Sequence, residues 1–155
     1  APERPLPLRV ENVVRQAIAL KSAFEPHPVL DVIDGGLLVL ADGERLERVL
    51  GHLIQNAIEA TPRNGRVSVS IARTGGQVTV TVADTGAGMS EEFIRERLFK
   101  PFESTKPAGM GIGVFESREY IHELGGALAL SSVPAQGSTF TVTLPLYREA
   151  GERAA

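Results

Sequence analysis

A two-layer α/β sandwich, one mostly antiparallel sheet with helices on a single face, follows from three patterns in this chain. Stretches of apolar–polar alternation come in consecutive pairs, such as "RVSVSIA" followed by "QVTVTVAD". Amphipathic helical stretches lie between the pairs. The strand–helix–strand rhythm of a parallel sheet is missing, which leaves helices packed on one side of an antiparallel-rich sheet. At 155 residues the chain has single-domain length and enough residues for a real core.

Element by element, residues 1–7 are proline-rich and read as an extended lead-in. "VENVVRQAIALKSAF" places Val10, Val13, Val14, Ala17 and Ile18 at helical spacing, and Pro26 and Pro28 end that helix. "VLDVI" and "LLVLA", joined through "DGG", predict a hairpin. A long helix is expected from Gly43 to Ala60, with the stripe Leu46, Val49, Leu50, Leu53, Ile54, Ala57 and Ile58; Thr61-Pro62 stops it. Two alternating strands follow, joined by Thr74-Gly75-Gly76. A short helix is expected over Ser90–Phe99 with Ser90 as N-cap, and another over Ile112–Leu124 with Gly125-Gly126 as its stop. "ALALSS", a turn at "VPAQG" and "STFTVTLPL" close the sheet, and the tail from Arg148 is expected to fray.

Hydrophobic residues at 43% and charged residues at 23% are those of a soluble globular domain. A net charge of −3 argues against a nucleic-acid partner. With no cysteine there is no disulfide framework, thiolate nucleophile or cysteine zinc site. No apolar run has the length of a membrane span and no signal peptide is visible, so this segment is not membrane-inserted. The abrupt start "APERPLPLRV" leaves room for an anchor or a partner domain outside it.

Three features carry candidate chemistry. Strand parity puts Asp84 on the same face as Val78, Val80 and Val82, where an unpaired carboxylate would cost several kcal/mol. Either a ligand amine satisfies it, or it tips into solvent and caps an Asp-Thr-Gly turn. "GMGIGVF" sets Gly109, Gly111 and Gly113 at a helix start, where backbone amides favour anions; a flexible loop is the plainer reading. It is neither a dinucleotide fingerprint nor a P-loop. Last, His52, Asn56 and Glu59 form one stripe on the long helix, away from the apolar series. It reads as a solvated face or as the wall of a covered pocket. In the second case Asn56 suits Mg²⁺, and His52 or Glu59 can orient a water or accept a proton.

Taken in order, "HLIQNAIEA", "DTGAGM", "LFKPFESTK", "GMGIGVF" and "GSTFTVTLP" resemble the N, G1, F and G2 boxes and the closing strand motif of the ATP-binding catalytic domain of bacterial two-component sensor histidine kinases. That domain is grouped with gyrase, Hsp90 and MutL (the Bergerat fold). The resemblance runs from about Leu8 to Leu146, and its strength lies in the order and spacing of the five motifs. It implies that Asp84 accepts a hydrogen bond from the adenine amino group, that Gly86 and Gly88 let the chain pass close to the base, and that Asn56 holds Mg²⁺ against the phosphates of ATP. It further implies a mobile ATP lid from Met89 to Met110, edged by Gly109, Gly111 and Gly113 and anchored by Phe102. Lys106 would be a phosphate contact, and Ser138 would reach adenine through water.

Departures sharpen the reading. ATP-hydrolysing relatives carry a glutamate base where this chain has His52, which favours phosphoryl transfer to a protein acceptor. The Lys or Arg that often follows the asparagine is replaced here by Glu59 and Ala60. No phosphoacceptor motif surrounds any of the three histidines. The partners implied are therefore a separate phosphoacceptor-histidine dimerisation domain and a response regulator receiver domain, in a cytoplasmic and dimeric full-length kinase. The alternatives are an ATPase or serine kinase of the same superfamily, or a docking module that has lost its nucleotide.

Overall fold

The structure, a computed structural model, describes residues 5–98 and 110–148. Its elements in chain order are β1 (Leu6–Arg9), α1 (Val10–Ala19), β2 (Val29–Val32), β3 (Leu38–Ala41), α2 (Gly43–Ala60), β4 (Val67–Thr74), β5 (Gln77–Asp84), α3 (Glu91–Phe93) with a π-helical turn at Ile94–Leu98, α4 (Met110–Glu123), β6 (Ala127–Val133) and β7 (Gly137–Pro145). The main sheet has the order β2-β4-β5-β7-β6 and is antiparallel except where β2 runs parallel to β4. β1 and β3 make a separate antiparallel pair. The expected two-layer sandwich is what forms.

The alternating strands fold as their pattern dictates. Val69, Val82 and Phe140 are level across the sheet, as are Ile71, Val80 and Val142. These side chains are buried under the helices. The opposite face carries Ser68, Ser70, Thr79, Thr81, Thr141 and Thr143, which stay partly or fully exposed. The α2 stripe from Leu46 to Ile58 supplies the other half of the core. Asp42 caps α2, its Oδ1 accepting the Arg45 amide at 3.0 Å. Tyr120 Oη of α4 accepts the Asp42 amide at 2.9 Å, and the Arg45 guanidinium lies 4.0 Å above the Tyr120 ring. These contacts fix α4 beside α2.

The hairpin expected between residues 29–33 and 37–41 does not form. Glycines after a strand suit a tight turn, but here tertiary hydrogen bonds take the loop elsewhere. The amides of Ile33 and Asp34 both donate to Ile71 O, Asp34 Oδ2 accepts the Arg73 amide at 2.8 Å, and Glu11 Oε1 accepts the Gly36 amide at 2.7 Å. β2 is thereby drawn onto β4, and β3 pairs with β1 instead. Leu6 and Pro7, expected in an unpaired lead-in, belong to β1, where Pro7 is tolerated in a short two-stranded pair. α1 stops at Ala19, and turn bonds such as Leu20 N–H to Gln16 O carry the chain on from there. The single helix expected at 90–99 is one α-turn, with Ser90 Oγ capping the Phe93 amide at 3.1 Å, followed by the π-turn. α4 begins at Met110, so Gly111 lies inside the helix rather than before it.

Candidate functional site

Asp84 ends β5 with the parity its sequence position predicts, beyond the buried Val78, Val80 and Val82. It neither turns to solvent nor finds a cation. Its Oδ1 accepts the Gly86 amide at 2.8 Å and the Ser138 amide at 3.2 Å, and among the described residues its Oδ2 accepts no hydrogen bond. Burial raises the carboxyl pKa above the ordinary aspartate value, and the two amide bonds pull partly the other way.

The turn after Asp84 is clamped from two sides. The Ala87 amide donates to Ala60 O at 3.0 Å, which fastens the turn to the end of α2. The Ala135 amide donates to Ala87 O at 2.6 Å, which fastens it to the β6–β7 hairpin. These contacts explain the glycines better than turn propensity does. A Cβ on Gly86 would meet the Ala60 carbonyl, and one on Gly88, whose φ is +68°, would meet the Val133 carbonyl. Both obstacles are backbone and cannot swing aside.

A cavity of about 410 Å³ opens between this turn, α2 and the π-turn, a size suited to a small organic ligand. Asn56, Glu59, Asp84, Gly88, Met89 and Ser138 line it, together with the apolar Phe93, Leu98 and Phe140. Asn56 is only 8% exposed, so the covered-pocket reading of the stripe holds for Asn56, while His52 and Glu59 are exposed. Asn56 lines a cavity whose other walls include Met89, Phe93 and Leu98. Among the described residues Asn56 Nδ2 is buried without a hydrogen-bond partner, an arrangement that a ligand can complete. Glu59 is exposed at the rim, where its Oε2 accepts from Gln55 Nε2 at 3.1 Å.

His52 does not line this cavity. It lies one helical turn earlier on α2, exposed, with Gly113 of α4 so close that a Cβ there would sit 3.4 Å from His52 Nδ1. Partial burial against α4 lowers the imidazole pKa, Glu116 opposes the shift, and Lys21 and Arg48 reinforce it. The start of α4 thus rests beside the stretch of α2 that carries Asn56. Phe102, Lys106 and Gly109 lie outside the described residues.

Ser132 on β6 is a site residue that sequence reasoning missed. Its Oγ accepts the Met89 amide at 2.7 Å, lies 2.8 Å from Ser138 Oγ and donates to Gly137 O at 3.2 Å. The hairpin register, which pairs Ser132 with Ser138, is the signal that would have found it. A wider depression of about 840 Å³ lies near Phe24, His27, Arg63 and Arg66. The Arg63 guanidinium there is already paired with Glu25 at 2.9 Å, and among the described residues no buried side-chain atom lining it lacks a partner.

Among the described residues no group of three or more His, Asp or Glu side chains could hold a metal, and no helix is long and apolar enough to cross a membrane. The cavity therefore offers a free carboxylate oxygen for an amino group, apolar walls for a flat ring and an uncompensated amide on α2. Fold and cavity together define an α/β sandwich with a ligand-sized cavity between the end of β5 and α2. Residues 41–148 match the family described as histidine kinase-, DNA gyrase B- and HSP90-like ATPase, and the chain belongs to that family.

Relatives agree. The chain is 39% identical over 144 residues to the C4-dicarboxylate transport sensor protein DctB of Rhizobium meliloti (strain 1021), covering 89% of this chain and 23% of DctB. The catalytic domain of histidine kinase ThkA superposes with a TM-score of 0.81 at 27% identity, over 92% of this chain and 96% of that one. Full-length ShkA in complex with AMPPNP gives 0.79 at 28% identity, over 97% of this chain and 33% of that one. A structure of ThkA in complex with the response regulator protein TrrA gives 0.75 at 26% identity, over 91% of this chain and 41% of that one. The chain spans 23% of the length of DctB and 29% of that of the sensor histidine kinase ZraS of Klebsiella oxytoca.

Proposed function

We propose that this chain binds Mg·ATP and donates its γ-phosphoryl group to a histidine on a separate dimerisation domain of a sensor histidine kinase. The observation that carries the reading is the pairing, among the described residues, of a half-buried carboxylate whose Oδ2 accepts no bond with a buried Asn56 amide without a partner, both on one cavity. Asp84 Oδ2 accepts from the adenine amino group, with Ser138 beside it. The backbone of Gly86 and Gly88 runs along the base, and Met89 and Phe93 wall the ring. Asn56 faces the phosphates and would hold Mg²⁺ through its side-chain oxygen. Mg²⁺ keeps several waters and bridges substrate phosphates, so a single protein ligand fits it. Bound there, it offsets phosphate charge.

Gly111, Gly113 and the first turn of α4 supply backbone amides on the phosphate side; Gly109 and Lys106, outside the described residues, keep the phosphate roles that the resemblance implies. In the transfer, the acceptor imidazole nitrogen forms a P–N bond while the bond from Pγ to the β,γ-bridging oxygen breaks, and ADP leaves with that electron pair. The protein's contribution is positioning and electrostatic stabilisation. His52 helps place the start of α4, and no carboxylate occupies its position to activate a hydrolytic water. ThkA was captured with a response regulator, which supports a receiver domain as the next partner. The full-length protein is then a cytoplasmic-facing homodimer.

The test is to incubate the chain with labelled Mg·ATP, alone and with its acceptor domain. Nucleotide binding without label on this chain, and acid-labile phosphohistidine on the acceptor, are expected. No thermal shift with millimolar Mg·ADP, or steady phosphate release without acceptor, would overturn the reading.

A further inference from the structure

The three hydroxyl contacts of Ser132 form a junction that the nucleotide reading alone does not use. Its oxygen accepts the amide hydrogen of Met89, the first residue of the segment read as the lid, at 2.7 Å. Its single hydroxyl hydrogen has two acceptors in reach, Gly137 O at 3.2 Å and Ser138 Oγ at 2.8 Å. Ser138 is buried, lines the cavity and donates its own amide to Asp84 Oδ1. A serine hydroxyl has one donor and two acceptor sites, so these choices are coupled.

Two hydrogen arrangements satisfy the pair. In the first, Ser132 donates to Gly137 O and Ser138 donates to Ser132. The Ser132 oxygen then accepts from both Met89 and Ser138. In the second, Ser132 donates to Ser138, which frees the Ser138 hydrogen for the cavity. The bonds now run one way, from the Met89 amide through Ser132 to Ser138 and on to an acceptor in the base site. Each donor in such a chain polarises the next, and the Ser132 oxygen serves Met89 alone.

We propose that Ser132 is a positioning residue that couples occupancy of the base site to the anchoring of Met89, with an acceptor nitrogen on the base edge beside the amino group selecting the one-way chain. This rests on the adenine-nucleotide reading. A ligand that takes the Ser138 hydrogen tightens the Met89 bond, and by reciprocity a tightened Met89 bond favours that ligand. A ligand with the same amino group and no ring nitrogen at that edge binds through Asp84 and leaves Met89 as it was.

Hydrogen exchange at the Met89 amide tests this with two ligands, ADP and 1-deaza-ADP, which keeps the amino group and replaces the ring nitrogen by C–H. At saturation ADP should slow Met89 exchange roughly threefold or more beyond 1-deaza-ADP. The difference should vanish in Ser132→Ala and return in Ser132→Thr, which restores the hydroxyl. Equal slowing by the two ligands in the unaltered chain, or a difference that persists in Ser132→Ala, would overturn the coupling while leaving the nucleotide reading intact. The unaltered chain carries the test even if Ser132→Ala folds poorly. Failure of the unaltered chain to bind ADP at all would overturn both.

Discussion

The backbone amide of Ser138 donates to Asp84 Oδ1 across 3.2 Å, so the opening of β7 holds the acid that ends β5. With the Gly86 amide on the same oxygen, the carboxylate is oriented by the backbone and its second oxygen is left for a ligand. Asp84→Asn keeps an oxygen for those amides and turns the other atom into a donor facing a donor. Adenine-nucleotide affinity should fall about tenfold to a hundredfold, with little change in melting temperature. Titration calorimetry with ADP reads the first quantity and scanning calorimetry the second.

Burial also raises the Asp84 pKa, so the folded chain binds a proton there more readily than the unfolded chain. The sign follows from linkage. This residue's contribution to stability is most favourable in acid and is lost as pH rises from the ordinary carboxylate value through the raised one. Nucleotide affinity should move the other way, because the ionised carboxylate is the better acceptor, and should decline as pH falls through the same interval. Asp84→Asn should remove this residue's share of both slopes, read as the difference between variant and unaltered chain in urea denaturation and ADP titration between about pH 3.5 and pH 7.

Asn56 separates stability from binding. Its Nδ2 is buried without a partner, so the free fold bears a desolvation cost at this position. Asn56→Leu should melt at the same temperature as the unaltered chain or slightly higher, yet lose most of the thermal shift produced by Mg·ADP. A large drop in the melting temperature of the ligand-free variant would show that the amide is structural.

Two glycines to alanine should act in opposite directions. At Gly86 the new methyl meets the Ala60 carbonyl at the point where the Ala87 amide is fastened. A loss of about 2 kcal/mol or more is expected, with weaker nucleotide binding. Gly51, inside α2, has nothing within 4 Å of an added methyl. Gly51→Ala should raise stability by about 0.5–1 kcal/mol. Chemical denaturation of both variants checks the contrast.

Much of this was legible in the sequence because local pattern and tertiary fold agree. The i, i+3, i+4 stripe of α2 and the alternation of β4, β5 and β7 state which side chains face inward, and parity alone singled out Asp84. The pairing of β2 was not legible, since Ile71 and Arg73, which take up the 33–34 turn, lie far along the chain. Whether Asn56 faces solvent or a covered pocket was left open in the sequence, because its periodicity belongs to the polar face and periodicity does not say what lies over that face. Ser132 passed unnoticed because a serine on a half-exposed strand carries no signal until its register with Ser138 is known.

The Ala135-to-Ala87 bond gives the β6–β7 hairpin a duty that its exposure conceals. Surface hairpins of this kind are the usual choice for splicing in a tag or a reporter domain. Here the loop props the strip of backbone, Ala87 and Gly88, that lines the Asp84 cavity, so lengthening it by even a residue would loosen that wall from beneath. An engineer seeking a permissive insertion point does better at Gly75 and Gly76, at the far end of the β4–β5 ladder from Asp84.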